Sequence, residues 1–567
     1  MKHIIKFAFL TVAAWALSAC VKDLNTLPLN PTDTTSETAY VDEASYLKGL
    51  AYINAYWIFV SQNSQNSSDI SVDDAGQSEL CRQYMVLQEM SADSFKCVWG
   101  DAYVAGIQQD LWTSTDNAAI IAVYTRCMKG ITLANEYLLQ TEDSKIKSRG
   151  HESFSDKIAQ YRAEARFHRA LYYYLMLDFF GNPPFVTPDN IGGDLPEQIS
   201  RADLYTWLEE ECLDLVSSSS AMPDFGEVPY PRPTKGAVWA ILSRLYLNAQ
   251  VYTGTPQWQK AKDACAEIIK MGYKLHANYA EMFMQDNTTN GSAEEFIFAI
   301  DYHKTHARSW GGTTALISGG LSNTDSQAIG KYLGITQNSE GNPATNLNQA
   351  AWTGYHVSDE YVSKFNLQNV TWDTPTDGSS LGYDDKNSDK RAFFFNGGRT
   401  QKFVLTDHKT GWVCWKFNCL NSDGTTETGT TDATYSSADV PIFRLGEIYL
   451  TYAEADARLN GGVVNDSKAK GYIKELRERA GVAMPSDNDL TTDWILEERA
   501  RELMWEGCRR TDLIRYGYFT SMNYPWPYKG GIEDGNVALE SYRTIYPLIM
   551  DDINANKNLT QNPGYGF

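Results

Sequence analysis

The chain has 567 residues, 43% of them hydrophobic, with 15 Trp, 34 Tyr and a formal net charge of −22 at pH 7. So acidic a balance excludes nucleic acid as the partner and weighs against strongly anionic polysaccharides, because like charges repel at long range. The apolar fraction supports a substantial core, and no linker-like stretch divides the chain after its N-terminal segment.

Lys2, His3 and Lys6 form a basic head, followed by the apolar run Phe7–Leu17. That run is shorter than the ~20 residues of a permanent membrane span. It closes on Leu17-Ser18-Ala19-Cys20, a spacing that resembles a bacterial lipobox. Residues 1–19 therefore read as a lipoprotein signal peptide, with Cys20 taking the lipid. Residues 20–37, rich in Thr, Asn, Pro and Asp, carry no periodic apolar face and read as a flexible tether. Residues 38–567 read as one body.

Within that body the 3.6-residue period recurs. Over 159–180, Ala163, Phe167, Ala170, Tyr174 and Leu175 share a face, and Gly181-Asn182-Pro183-Pro184 ends the helix. Ala237, Ala240, Ile241 and Leu245 mark a helix over 236–250; after a Gly/Pro turn, Trp258, Ala261, Cys265 and Ile268 line the next. Leu445, Ile448, Tyr452, Ala455 and Leu459 form a later stripe, broken at Gly461-Gly462 and resumed by Ile473, Leu476 and Ala480. A last helix carries Leu496, Ala500 and Leu503. Residues 242–270 and 445–480 share one plan, two helices with small residues on facing sides, as in tetratricopeptide-like hairpins. Between about 280 and 440, Gly, Ser, Thr, Asn and Asp dominate. Only short strand-like runs stand out there, at Glu295–Ile300, Lys402–Leu405 and Trp412–Asn418. A long loop-rich region held by a rigid scaffold is where function concentrates.

The eight cysteines beyond Cys20 have scattered spacings. Cys81 with Cys97, or Cys414 with Cys419, could pair after export; the favoured alternative is that all eight are small buried residues. No G-x-S-x-G, H-E-x-x-H or P-loop is present, and His303 with His306 is weak evidence for a metal. The charged stretch Glu497, Glu498, Arg501, Glu502, Glu506, Arg509 and Arg510 reads as a solvated, salt-bridged face or a partner contact, not a glycosidase carboxyl pair.

Several motifs in fixed order resemble the SusD/RagB family of outer-membrane lipoproteins. They are Tyr161-Arg162-Ala163-Glu164-Ala165-Arg166-Phe167 running to Asp178-Phe179-Phe180-Gly181, Arg232-Pro233-Thr234-Lys235-Gly236-Ala237, Phe443-Arg444-Leu445-Gly446-Glu447, Leu476-Arg477-Glu478-Arg479-Ala480-Gly481, and Glu506-Gly507-Cys508-Arg509-Arg510-Thr511-Asp512. The resemblance implies a mainly α fold of tetratricopeptide-like helical hairpins (about 38–280 and 440–567) packed against an irregular lobe with a few short strands (about 280–440). It implies a cell-surface, lipid-anchored protein without enzymatic activity or cofactor, which binds glycan and hands it to a SusC-like TonB-dependent transporter. Trp99, Trp310 and Trp352, all in polar, Gly-rich contexts, fall where starch-binding members place the aromatics of their sugar arc. Flat indoles can stack on the apolar C–H faces of sugar rings. Arg82 resembles the family's sugar-hydroxyl donor, and Asp101 can accept from hydroxyls. Ala102 stands where the starch binders carry an amide. Some relatives bind calcium near Asp286-Asn287-Thr288 and Ser437-Ala438-Asp439, but Thr and Ser replace the acids such an ion wants, and no metal site is expected. A neutral glucan is the expected ligand, α-linked from the arc positions or β-linked if the indoles form an extended platform. Another glycan such as fructan, a peptide, or a glycoside hydrolase are the alternatives.

Overall fold

The computed structural model describes residues 36–113, 117–190, 195–365, 389–400 and 402–566. The signal peptide, Cys20 and nearly all of the tether lie outside them. The principal helices are α1 (Glu43–Ala55), α2 (Leu80–Met85), α3 (Ala102–Gln108), α4 (Ala118–Gln140), α5 (Ser155–Phe180), α6 (Arg201–Val216), α7 (Lys235–Leu247), α8 (Trp258–Ile269), α9 (Gly312–Gly320), α10 (Asn323–Tyr332), α11 (Leu445–Leu459), α12 (Ser467–Arg479) and α13 (Thr492–Glu502). Local chemistry sets their ends. Asp42 caps α1 in a reciprocal capping box with Ser45, Ser200 caps α6, and Gly181 ends α5 in the left-handed region at φ 71°.

Each helix packs on its neighbour in the sequence α4–α5–α6–α7–α8–α11–α12, with α13 against α11. The two alike stretches, α7–α8 and α11–α12, thus lie side by side in one mainly α stack. The sequence assigns α5 one apolar face, but every residue from Phe167 to Phe180 is buried. Neighbours cover α5 on all sides, and a helix apolar all round is the sequence form of that position.

Two small antiparallel sheets carry the lobe. One has the order β1 (Lys96–Cys97), β3 (Tyr355–Val357), β5 (Trp412–Cys414), β4 (Phe394–Phe395); the other pairs β2 (Phe296–Ile300) with β6 (Val440–Arg444). The expected strand at Lys402–Leu405 is absent from the residues described in that run. The expected strand at Glu295–Ile300 forms as β2, and its partner β6 was hidden beside the helical motif that starts at Leu445. The helices α9 and α10 also escaped sequence analysis, because Gly and polar residues blur their period.

The charged stretch near residue 500 corrects the sequence analysis. Glu498, Glu502, Glu506, Arg509 and Arg510 are buried, not solvated. Arg444 pairs with Glu295 at 2.9 Å, Glu502 at 2.7 Å and Glu506 at 2.5 Å; Arg391 pairs with Glu498 at 2.9 Å and Glu502 at 3.0 Å. Arg479 also bonds Glu502, and Lys416 meets Glu506 at 2.6 Å. Three guanidinium groups hold the Glu502 carboxyl well below the usual range although burial works the other way. The network joins lobe residues (Glu295, Arg391, Lys416) to scaffold residues, so helical charge spacing here builds an internal clamp. All eight body cysteines are free and buried, and burial pushes their thiols up, so neither contemplated disulfide forms.

Candidate functional site: an aromatic arc

Strand pairing brings Trp99 to the segment that carries Trp352. The register Lys96↔His356 and Cys97↔Tyr355 sets Trp99 just after β1 beside Trp352 just before β3. The ladder runs on past the strands. Val98 N–H donates to the Gly354 carbonyl at 2.9 Å, and Trp99 Nε1–H donates to the Thr353 carbonyl at 3.1 Å. A Cβ built on Gly354 would lie 2.1 Å from Trp99 Nε1, so the indole rests directly on backbone that only glycine leaves open. Trp352 is anchored from behind, its N–H donating to the Ser318 carbonyl of α9 at 2.8 Å.

Trp310 precedes the N-terminus of that same α9. Its ring centroid is 6.0 Å from Trp352 and 4.6 Å from Tyr435, tilted by 46° and 48°. Its Nε1–H donates to Asn66 Oδ1 at 2.7 Å. All three indoles are half-buried. The Trp352 Nε1–H makes no hydrogen bond among the described residues and remains available.

Arg82 lies behind the arc on α2, its guanidinium carbon 5.9 Å from the Trp99 ring. It is 7% exposed, and among the described residues no carboxylate pairs with it and its Nε bonds nothing. Burial works against its charge, but the Tyr355 and Tyr103 hydroxyls and the Asp74 carboxylate hold it above the ordinary arginine value. Asp101 is exposed, at the start of α3 beyond Trp99, and its side chain caps nothing. The structure thus gathers Trp99, Trp310, Trp352 and Arg82 into one constellation with Asp101 on its rim. The geometry suits a flexible, neutral, hydroxyl-rich ligand: flat apolar faces to stack on, with fixed donors at the edge.

Sequence analysis missed four contributors. Tyr435 and Asn66 contact Trp310 from segments far away in sequence, where no spacing rule reaches them. Arg308 stacks on Tyr435 at 4.9 Å. Glu79 is buried beneath the arc and accepts from Ser309 Oγ at 2.6 Å, Tyr302 OH at 2.9 Å and the Arg82 N–H at 3.2 Å. It ties the Trp310 loop to the helix that bears Arg82. Burial pushes its carboxyl up to about 7, with those donors pulling the other way. A Glu three residues before Arg82, at a helix start, was the one local signal of it.

The contemplated calcium positions are engaged within the chain. Asp286 accepts from the Ser422 N–H at 3.0 Å and Oγ at 2.5 Å, and Asp439 accepts from Tyr230 OH at 2.7 Å and the Tyr302 N–H at 2.9 Å. Among the described residues no group of three or more His, Cys, Asp or Glu could hold a metal. His303 and His306 stack on each other at 3.7 Å. Among the described residues, no helix is long and apolar enough to cross a membrane.

The model of the SusD family matches residues 294–565, and a second model, described as starch-binding associating with outer membrane, matches residues 40–247. The starch-binding protein SusD of Bacteroides thetaiotaomicron is 31% identical, over all of this chain and 99% of that protein. Two solved structures share the fold. A SusD-like carbohydrate binding protein from Bacteroides fragilis is 20% identical with a TM-score of 0.66, over 92% of this chain and 100% of the other. Surface glycan-binding protein A from Bacteroides thetaiotaomicron, in complex with laminarihexaose, is 18% identical with a TM-score of 0.64, over 92% and 99%.

Proposed function

This chain belongs to the SusD family, and from that premise we propose that it captures oligo- or polysaccharide at the outer membrane and delivers it to a SusC-like TonB-dependent transporter. Cys20 carries the lipid anchor, residues 21–37 hold the body off the bilayer, and the arc faces the cell exterior. Sugar rings stack on Trp99, Trp310 and Trp352, while Arg82 and Asp101 bond hydroxyls. The observation that carries this reading is the convergence of three half-buried indoles, from three separate segments of the chain, beside a buried arginine.

The ligand is a neutral glucan. The full-length similarity to a starch-binding protein favours α-linkage. Ala102 where the starch binders carry an amide weighs against α-linkage, an extended platform of three indoles favours a β-linked chain, and a neighbour in fold was solved in complex with laminarihexaose. Binding without hydrolysis is the proposed mode of action, and Glu498, Glu502 and Glu506, locked to guanidinium groups inside the protein, do not form a free carboxyl pair. Affinity electrophoresis in gels cast with amylopectin, laminarin or inulin tests this. The parent chain should be retarded by one of them and release no reducing ends from it. Retardation that survives Trp99→Ala/Trp310→Ala/Trp352→Ala would remove the arc from the account, and release of reducing ends would establish an enzyme.

A further inference from the structure

Beyond Trp310 the surface does not end. The contact ladder Trp352–Trp310–Tyr435–Arg308, with steps of 6.0, 4.6 and 4.9 Å, leads into a cleft of about 350 Å³. One wall is the segment Ile58–Gln65 that leaves α1, and the other is His306–Arg308. Asn66, which accepts from the Trp310 indole, joins that first wall to the arc.

The lining has sugar-binding chemistry of its own. Phe59 is half-buried at the cleft and stacked on Tyr56 at 5.6 Å and 20°, which fixes its ring plane. Among the described residues the side-chain amides of Gln62, Asn63 and Gln65 make no hydrogen bond, so each has its full donor and acceptor capacity free. Arg308 is held by the Lys304 carbonyl at 3.0 Å and by the Tyr435 ring, yet its buried Nε–H has no partner. An ordinary solvated loop would explain the free amides. It would not explain an arginine that lines the cleft and stacks on Tyr435 in line with the arc. The volume lies at the low end of the ~300–1,000 Å³ of small-molecule sites, so it suits a short stretch of chain rather than a whole oligosaccharide.

We propose that this cleft is an extension subsite, which binds the next part of the same neutral glycan where it runs off Trp310, through the Phe59 face, the Gln62, Asn63 and Gln65 amides and the Arg308 guanidinium. The inference rests on the arc reading and deepens it: the arc recognises a few sugar units, and the cleft makes the protein prefer long chains.

The test compares a trisaccharide with a heptasaccharide, from both the α-1,4-glucan and β-1,3-glucan series, by isothermal titration of the full chain. The variant Gln62→Ala/Asn63→Ala/Gln65→Ala should lose about tenfold in heptasaccharide affinity, or 1.4 kcal/mol, and keep trisaccharide affinity within about twofold. Hydrogen exchange on the parent supplies a readout independent of mutation. Amides of residues 58–66 should gain protection with the heptasaccharide and not with the trisaccharide. Equal heptasaccharide affinity in variant and parent, an equal loss for both ligands, or no length-dependent protection overturns the subsite while leaving the arc standing. If instead Trp310→Ala leaves parent-level binding of both lengths, the arc reading itself has failed and the extension falls with it.

Discussion

Gly354→Ala is the smallest change that should disable part of the site without touching a ligand-facing side chain. The new methyl carbon would sit 2.1 Å from Trp99 Nε1 and 2.2 Å from Cε2, where ordinary contact begins at 3.4 Å, so the indole must retreat by about 1.3 Å. The neighbours offer no other relief. Gly354 is locked on both sides, its carbonyl accepting from Val98 N–H and its own N–H donating to the Gly319 carbonyl at 2.8 Å. Its φ lies outside the left-handed region, so alanine brings no backbone strain and the penalty is purely steric. Moving the ring breaks the 3.1 Å bond to the Thr353 carbonyl, worth about 1 kcal/mol net. Because Trp99 is only half-buried, it swings outward at that modest cost instead of unfolding its surroundings. A displaced ring forfeits its stacking with the ligand, about 1–1.5 kcal/mol by analogy with aromatic pairs, or roughly tenfold in Kd. Isothermal titration with the preferred glycan, beside a thermal melt, separates the two effects: affinity should fall about tenfold while the melt moves little. Affinity within about twofold of the parent, with a tryptophan emission shift proving that the ring had moved, would refute Trp99 as a stacking platform.

Three further outcomes follow from the same geometry. Arg82→Lys keeps the charge but loses the planar fork, and should weaken glycan binding about tenfold by titration; unchanged affinity would take Arg82 out of the site. Glu502→Ala removes the carboxylate that Arg391, Arg444 and Arg479 share, though each keeps another acidic partner, and should destabilise by about 3 kcal/mol, so an unaltered melting temperature would contradict the clamp. The Glu79 carboxyl, raised by burial from 4.5 to about 7, takes up a proton on folding between those values. Stability should therefore fall by roughly 3 kcal/mol as pH rises from about 4.5 to 7 and then level off. Glu79→Gln abolishes that slope in denaturant unfolding measured across the window, and parallel pH curves for variant and parent would show that Glu79 does not titrate as described.

The helical scaffold was legible because its signals are local. Periodic small and apolar residues, Gly461-Gly462 and the Gly181-Asn182-Pro183-Pro184 stop wrote α5, α7, α8, α11 and α12 into short windows of sequence. The indoles of the arc were legible one by one, since Trp in a Gly-rich polar context has little to pack against. Their convergence was not, because it depends on the β1–β3 register and on α9, whose polar, Gly-rich sequence shows no period. Tyr435 and Asn66 are recruited across more than a hundred residues, and nothing near them in sequence announces it. The misreading of the acidic stretch has the same root. Spacing shows that charges share a helix face but not whether that face meets water or the guanidinium groups of Arg391 and Arg444. Cys20 and the tether lie outside the described residues, and their role remains with the proposal.

The most direct test is a crystal structure of the body, residues 38–567, with a heptasaccharide of the preferred glucan. Successive sugar rings should lie over the open faces of Trp352 and Trp310, with Trp99 flanking the chain, a hydroxyl within hydrogen-bond distance of the Trp352 Nε1–H, and the chain end directed towards Phe59 and Arg308. Sugar bound on another face of the protein, with the three indoles bare, would contradict it.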